Sequence, residues 1–157
     1  MIGAGYVRGT NDVLKKDPDL RVRQAIDLVF CKFRELGSIR QVYNWFFDNS
    51  VELPIATYKD GNRLEWKIPS VNSLANILKN PIYAGAYAYG KTKRIVEIKD
   101  GRKHIRKGIA LPQNQWKVLI KDHHEAYISW DEYHKNQAIA QCNKSATKQR
   151  KNMPLNV

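Results

Sequence analysis

The chain has 157 residues, which is enough for one domain with a hydrophobic core of its own. It carries 27 Lys and Arg against 15 Asp and Glu, a formal net charge of +12. The expected partner is therefore a polyanion, with nucleic acid first and an anionic membrane surface or an acidic protein second. No apolar run approaches the ~20 residues of a membrane-spanning helix. The two cysteines have neither zinc-motif spacing nor the density of a disulfide framework, so we expect reduced thiols in a cytoplasmic protein. Because a membrane-spanning run is missing, we expect no membrane partner.

The first third of the chain predicts a helical hairpin. Between residues 19 and 36, apolar side chains recur every three or four positions, which is the spacing of one helix face. Gly37 is placed to end this helix in a left-handed cap. Ser38 then begins a second helix, and Gln41 three residues later predicts a capping box. Because so few residues join them, the two helices are expected to fold back on each other.

A third, shorter helix is predicted from Ser70 to Lys79. An extended arm or hairpin around the turn residues Asp60 and Gly61 precedes it, and Asn80 followed by Pro81 ends it. Its apolar side would be Val71, Leu74, Ile77 and Leu78, and its other side Asn72, Ser73, Asn76 and Lys79.

The second half of the chain predicts a small sheet and a last helix. A strand from Ala86 towards Tyr89 is expected to return through residues 94–98, and residues 116–120 read as another strand. Ser129 with Glu132 predicts a capping box for a helix towards Cys142. Residues 144–157 show no apolar period and are predicted to be a basic linker or disordered tail.

These elements together predict an α+β fold. It comprises an N-terminal helical hairpin, a short capped helix, a small antiparallel sheet with a basic hairpin, and a C-terminal helix. Residues 1–143 form the expected domain, with 1–18 as a lead-in segment.

The positive charge is concentrated in two segments. Residues 91–107 carry eight Lys or Arg and two acids, and residues 144–157 carry four and none. The first segment is either a solvated hairpin whose lysines protect a sheet edge or an arm that contacts phosphates. Because it follows a helix with an Asn- and Ser-bearing side, we favour a nucleic-acid contact surface. Its candidate residues are Asn72, Ser73, Asn76, Lys79, Lys91, Lys93, Arg94, Arg102, Lys103, Arg106, Lys107, Lys144, Lys148 and Arg150.

Two short motifs could be taken for catalytic or metal sites. In YVRGT, residues 6–10, Thr10 could act as a nucleophile beside Arg8, but nothing nearby supplies a base. A flexible start rich in glycine is the favoured interpretation. His123 and His124 are adjacent, and adjacent side chains of an extended chain point to opposite faces, so they are not expected to share a metal ion. We predict no catalytic residue, no metal and no cofactor in this chain.

Three stretches in this order resemble the recombinase domain of large serine recombinases, the phage-type integrases, transposon resolvases and related invertases. They are residues 17–54, residues 66–91 and residues 123–140, and the most specific piece is ILKNPIYAGAYAYGK. The resemblance covers residues 5–143. It departs from the family at YVRGT, where Thr10 stands in place of the serine of a Tyr-x-Arg-x-Ser nucleophile segment.

The resemblance implies a duplex DNA-binding domain that docks on one half of an attachment site. A helix, here residues 70–79, would enter the major groove, and a linker beginning at Lys144 would follow the minor groove. The serine nucleophile, the zinc ribbon and the coiled-coil arm of the family are not in this sequence, so we expect a non-catalytic piece of a site-specific recombinase. The parent is expected to dimerise and assemble to a tetramer, and this domain alone to be a monomer. An RNA-binding or protein-interaction module using the basic hairpin is the alternative.

Overall fold

The computed structural model describes residues 2–57 and 63–152. Within them lie four α-helices and four two-stranded antiparallel sheets, which confirms the α+β class. In chain order the elements are β1 (Tyr6–Arg8), β2 (Leu14–Lys16), α1 (Leu20–Leu36), α2 (Ile39–Asp48), β3 (Leu53–Thr57), β4 (Arg63–Lys67), α3 (Val71–Lys79), β5 (Tyr87–Tyr89), β6 (Thr92–Lys99), β7 (Arg102–Ala110), β8 (Val118–Ile120) and α4 (Trp130–Asn152).

The predicted helical hairpin is present, and its inward faces form the centre of the core. Val29 and Phe30 of α1 pack with Val42 and Phe46 of α2, and all four are buried. Gly37 ends α1 in the left-handed conformation, with φ 65°, and its N–H donates to the Phe33 carbonyl. The capping box predicted for α2 is wrong, because Ser38 is the N-cap residue but its side chain makes no capping hydrogen bond.

Helix α3 begins and ends where the sequence places its signals. Ser70 Oγ accepts a hydrogen bond from the Ser73 N–H at 3.1 Å, and Asn80 Oδ1 accepts from the Ile82 N–H as the chain leaves the helix. Gly85 then adopts φ 75°, and a Cβ there would lie 2.8 Å from the His124 carbonyl oxygen. The turn after α3 therefore requires glycine for both its backbone conformation and its space.

The strand pairing predicted for the second half of the chain is wrong. β5 does not return through residues 94–98 but pairs with β8, with Tyr87 opposite Ile120. β6, which contains residues 94–98, pairs with β7. A hairpin is thus inserted between two short strands that pair with each other. Local alternation identifies a strand but not its partner, so this insertion could not be predicted from the residues of the strands themselves.

The start of the chain belongs to the core, so the predicted flexible start is wrong for residues 4–6. Ala4 and Tyr6 are buried. The Tyr83 hydroxyl donates to the Ala4 carbonyl at 2.7 Å, and the Tyr127 hydroxyl donates to the Gly5 carbonyl at 2.6 Å. β1 pairs with β2 immediately afterwards. Tyrosines far along the chain thus satisfy the backbone of the lead-in segment.

The middle arm is a pair of antiparallel strands, β3 and β4, with Ile55 opposite Glu65. The turn predicted at Asp60 and Gly61 lies outside the described residues. No helix in the described part of the chain has the length and apolar character to cross a membrane.

At the other end, α4 continues past Cys142 to Asn152, so a structureless tail over residues 144–152 is wrong. Residues 153–157 lie outside the described part. Of the capping box predicted at the start of α4, the serine contact is present, since the Glu132 N–H donates to Ser129 Oγ at 3.1 Å, whereas the Glu132 carboxylate pairs with Arg34 at 2.9 Å. Residues 143–151 of the added turns are all exposed. Exposure all round explains why they carry no apolar period.

Candidate nucleic-acid interface

Helix α3 turns its apolar side inward and leaves its polar side open. Leu74, Ile77 and Leu78 are buried, whereas Asn72, Asn76 and Lys79 are exposed, as predicted. Ser73 differs from the others because it is half-buried and its hydroxyl lies 3.0 Å from that of Ser70. Ser73 therefore belongs to the helix cap as well as to the polar side.

Helix α4 is held against the ends of α3 and α1 by side chains that satisfy terminal carbonyl groups. The Tyr133 hydroxyl donates to the Lys79 carbonyl at 3.1 Å. Gln137 Nε2 donates to the Leu78 carbonyl at 2.9 Å, and Asn143 Nδ2 donates to the Gly37 carbonyl at 2.8 Å. Burial raises the pKa of Tyr133 to about 12, so it stays a hydrogen-bond donor at neutral pH. These bonds fix the position of α4 from its first turn to Asn143, and residues 144–152 continue the same helix.

A groove of about 590 Å³ lies between the start of α2, the open side of α3 and the C-terminal half of α4. Five cationic side chains line it, and no Asp or Glu of the described residues does. The lining residues are Ser38, Ile39, Arg40, Val71, Asn72, Ala75, Lys79, Ala140, Asn143, Lys144, Thr147, Lys148 and Lys151. We call this feature the basic groove.

The cations of the basic groove lack anionic partners. Within the described residues, none of Arg40, Lys79, Lys144, Lys148 and Lys151 forms an ion pair. Burial lowers the pKa of Lys79, and repulsion by the neighbouring Lys144 ammonium lowers it further. Two ammonium groups held together without a carboxylate form a site that an anion would stabilise.

The basic hairpin is a second and separate cationic feature. β6 and β7 pair only with each other among the described strands, and we call them the ribbon. Part of its charge is already neutralised, since Glu97 accepts from Arg106 at 2.9 Å and lies 3.6 Å from Lys99. Lys91 lies at the base of the ribbon, where burial lowers its pKa and its carbonyl accepts from the Leu111 N–H.

The structure thus places most of the predicted contact residues in two places, while Asn76 is exposed on α3 without lining the basic groove and Ser73 belongs to the α3 cap. Asn72, Lys79, Lys144 and Lys148 line the basic groove, while Arg150 lies on the same stretch of α4 but does not line it. The remaining cations, Lys91, Lys93, Arg94, Arg102, Lys103, Arg106 and Lys107, belong to the ribbon and its base.

Two cations of the basic groove, Arg40 and Lys151, are not among the contact residues predicted from the sequence. Arg40 lies in the nearly neutral helical hairpin, and its guanidinium is 5.5 Å from the centre of the Tyr43 ring. No local signal connects it with residues a hundred positions away. Lys151 follows Lys144 and Lys148 at helical spacing, so it could have been found if the tail had been read as a helix.

The adjacent histidines contact each other, so the prediction that their side chains point to opposite faces is wrong. His123 Nδ1 and His124 Nδ1 are 3.1 Å apart, and His124 Nε2 lies 2.6 Å from the Ile82 carbonyl oxygen. Nε2 of His124 therefore carries the proton, and Nδ1 accepts from His123. Burial lowers the pKa of His124. In the described residues, no three His, Cys, Asp or Glu side chains are grouped so as to hold a metal ion.

The chain belongs to the Recombinase family, whose model matches residues 22–143. It is 33% identical over 144 residues to the uncharacterized protein y4bA/y4pH of Sinorhizobium fredii. That match covers 90% of this chain but only 20% of the relative, so the chain spans about a fifth of the length of that curated protein.

Two solved structures share the fold at 18% sequence identity. A crystal structure of an LSR–DNA complex matches with a TM-score of 0.52, covering 87% of this chain and 30% of that one. A structure from work on the sequence requirements of the Listeria innocua prophage attP site matches with a TM-score of 0.53, covering 87% and 40%. At this identity the likeness establishes the architecture alone and does not show that this chain binds DNA.

Proposed function

We propose that this chain is a duplex DNA-binding domain of a site-specific serine recombinase and that it docks on one half of an attachment site. The observation that carries the proposal is the basic groove, in which five cations lie beside an exposed helix side and form no ion pair within residues 2–57 and 63–152. Family membership and the fold shared with the LSR–DNA complex support it.

The basic groove is suited to phosphate rather than to a neutral ligand. Lys79 and Lys144 repel each other when the groove is empty, and one phosphate between them would turn that repulsion into two attractive contacts. Lys148 and Lys151 extend the cationic wall along α4. Phosphate contacts of this kind position a protein on the duplex, and most of its affinity comes from the counterions they release.

Asn72 and Asn76 supply the side chains with which α3 would read bases. An Asn amide can make two hydrogen bonds to an adenine edge in the major groove. Both residues are exposed on the helix that forms one wall of the basic groove. We propose that α3 enters the major groove, that residues 1–143 form the binding domain, and that the rest of α4 follows the adjoining backbone.

The nucleophile of the recombination reaction would lie outside these residues. Thr10, the one candidate in YVRGT, adjoins Asn11, which has a φ of 64° in a short turn between β1 and β2. The base that a nucleophile requires is not within the motif. We therefore propose that this chain binds DNA without cutting it, in a parent that dimerises and forms a tetramer.

The test is a specificity comparison, because every polyanion binder weakens with salt. A half-site is first selected from a randomised duplex pool with this chain. Gel shifts then compare the selected duplex, a scrambled duplex and an RNA of the same sequence. We expect clear preference for the selected duplex, and Lys148→Gln should weaken binding more than the matched surface variant Arg150→Gln.

Equal affinity for all three nucleic acids would contradict sequence-directed DNA binding. Preference for RNA would favour an RNA-binding module, and the absence of nucleic-acid binding would favour a protein-interaction module. Incubation with a supercoiled plasmid carrying the selected site should leave the plasmid uncut.

A further inference from the structure

The ribbon has two faces of different chemistry. Residues directly opposite each other in a strand pair share a face. Val96 lies opposite Ile105 and Ile98 lies opposite Lys103, so Val96, Ile98 and Ile105 project on one side. Their exposed fractions are 49%, 78% and 41%. We call this side the apolar face of the ribbon.

The acidic side chain of the β6 strand lies on the opposite side. Glu97 is one position from Val96 and from Ile98, so it points to the other face, where it binds Arg106. Lys103 lies on the apolar face itself, opposite Ile98. A polyanion approaching the apolar face therefore meets apolar groups and a cation, with Glu97 directed away from it.

The apolar face is not covered by the rest of the described chain. β6 and β7 pair only with each other, and the turn that joins them contains Asp100 and Gly101, with φ values of 52° and 70°, as in a tight hairpin turn. Three exposed aliphatic side chains side by side on one face of the ribbon indicate a binding surface. The segment 91–107 has a net charge of +6, which disfavours a second copy of the same ribbon as the occupant and favours an anionic one.

We propose that the apolar face of the ribbon lies in the major groove of duplex DNA and contacts thymine methyl groups. The proposal rests on the proposed DNA-binding function and adds a base preference to it. The major groove is about 12 Å wide and admits a two-stranded ribbon, whose strands are about 4.8 Å apart. The C5 methyl of thymine is the apolar group on the groove floor, and aliphatic side chains recognise it by contact. Lys103 and Arg94 would reach the phosphates at the edges.

The test deletes only the methyl groups. The duplex selected with the full chain is resynthesised with deoxyuridine in place of thymidine, and the affinities of the two duplexes are compared at one salt concentration. We expect the wild type to bind the thymine duplex more tightly, by about fourfold for each methyl contacted, which is the effect of burying one methylene-sized group.

Variants of the ribbon locate the contact. The Ile98→Ser variant should fold normally, because the Ile98 side chain is 78% exposed. Its ratio of affinity for the thymine duplex to affinity for the deoxyuridine duplex should fall towards one. Ile120→Ser is the matched control, because Ile120 is an exposed isoleucine on β8, outside the ribbon, and 47% exposed. It should keep the wild-type preference.

Three results would overturn the inference while leaving DNA binding intact. They are equal affinity of the wild type for both duplexes, loss of preference in Ile120→Ser as well, and a loss of affinity in Ile98→Ser that is the same for both duplexes. Failure to select any duplex would instead contradict the proposed function. Circular dichroism of each variant checks that the fold is kept.

Discussion

Replacing Lys79 with glutamine separates a binding role of the basic groove from a structural one. Lys79 lies beside Lys144 with no carboxylate partner among the described residues, and burial and repulsion both lower its pKa. The positive charge of Lys79 therefore destabilises the folded protein. In Lys79→Gln the repulsion is removed, so the free energy of unfolding should be unchanged or slightly increased, while DNA binding should weaken.

The expected size follows from counterion release. Each phosphate neutralised on duplex DNA contributes about 0.9 to the slope of log affinity against log salt. If the five cations of the basic groove each contact one phosphate, the groove supplies a slope of about 4.5. Lys79→Gln should lower the total slope by about 0.9 and weaken binding to selected and scrambled duplexes by similar factors.

Fluorescence anisotropy with a labelled duplex, titrated over a series of KCl concentrations, measures the slope, and urea denaturation measures stability. Arg150→Gln is the control, since it removes one positive charge from an exposed position that does not line the groove. An equal fall in slope for both variants would mean that only net charge matters. A clear loss of stability in Lys79→Gln would refute the reasoning that its charge is unfavourable in the free protein.

Three further predictions concern base reading and the fold. Asn76→Ala should reduce the difference in binding free energy between selected and scrambled duplexes by about 1 to 3 kcal/mol. An equal loss of affinity for both duplexes in gel shifts would mean that Asn76 contacts the DNA backbone and not a base. Gly85→Ala should destabilise the protein by about 1 to 3 kcal/mol, and by more than Gly37→Ala in urea denaturation, because both glycines have positive φ but only Gly85 would bring a Cβ against backbone. Since burial lowers the pKa of His124 from 6.5, the unfolded state binds more protons below that pH. Stability should therefore fall as the pH drops through 6.5 and below, and His124→Gln should flatten this dependence; an unchanged profile would contradict it.

The helices were predictable because their signals are local. An apolar period, a Ser before α3 and a Gly after α1 act within a few residues, and the structure places the ends of these helices accordingly. The helical extension of α4 beyond Cys142 was not predicted, because its local sequence has no apolar period. An apolar period reports burial of one helix face, and residues 144–151 are helical but exposed.

Strand partners and the composition of the basic groove depend on contacts between distant parts of the chain. β5 pairs with β8 across the inserted ribbon, and Tyr83 supports the backbone of Ala4. Arg40 lines the same groove as Lys144 and Lys148 because Gln137 and Asn143 hold α4 at the ends of α3 and α1.

The sequence by itself determined the fold class, the extents of α1 and α3, the start of α2, the polar side of α3 and the strong positive charge, since each depends on composition or on residues close together. Tertiary structure alone decided that this charge forms two separate surfaces, a groove between three helices and a projecting ribbon. The physical reason is that α4 and the ribbon are positioned by interactions between residues far apart in the chain. These are hydrogen bonds from side chains to backbone carbonyl groups and the pairing of distant strands, and no local pattern encodes either.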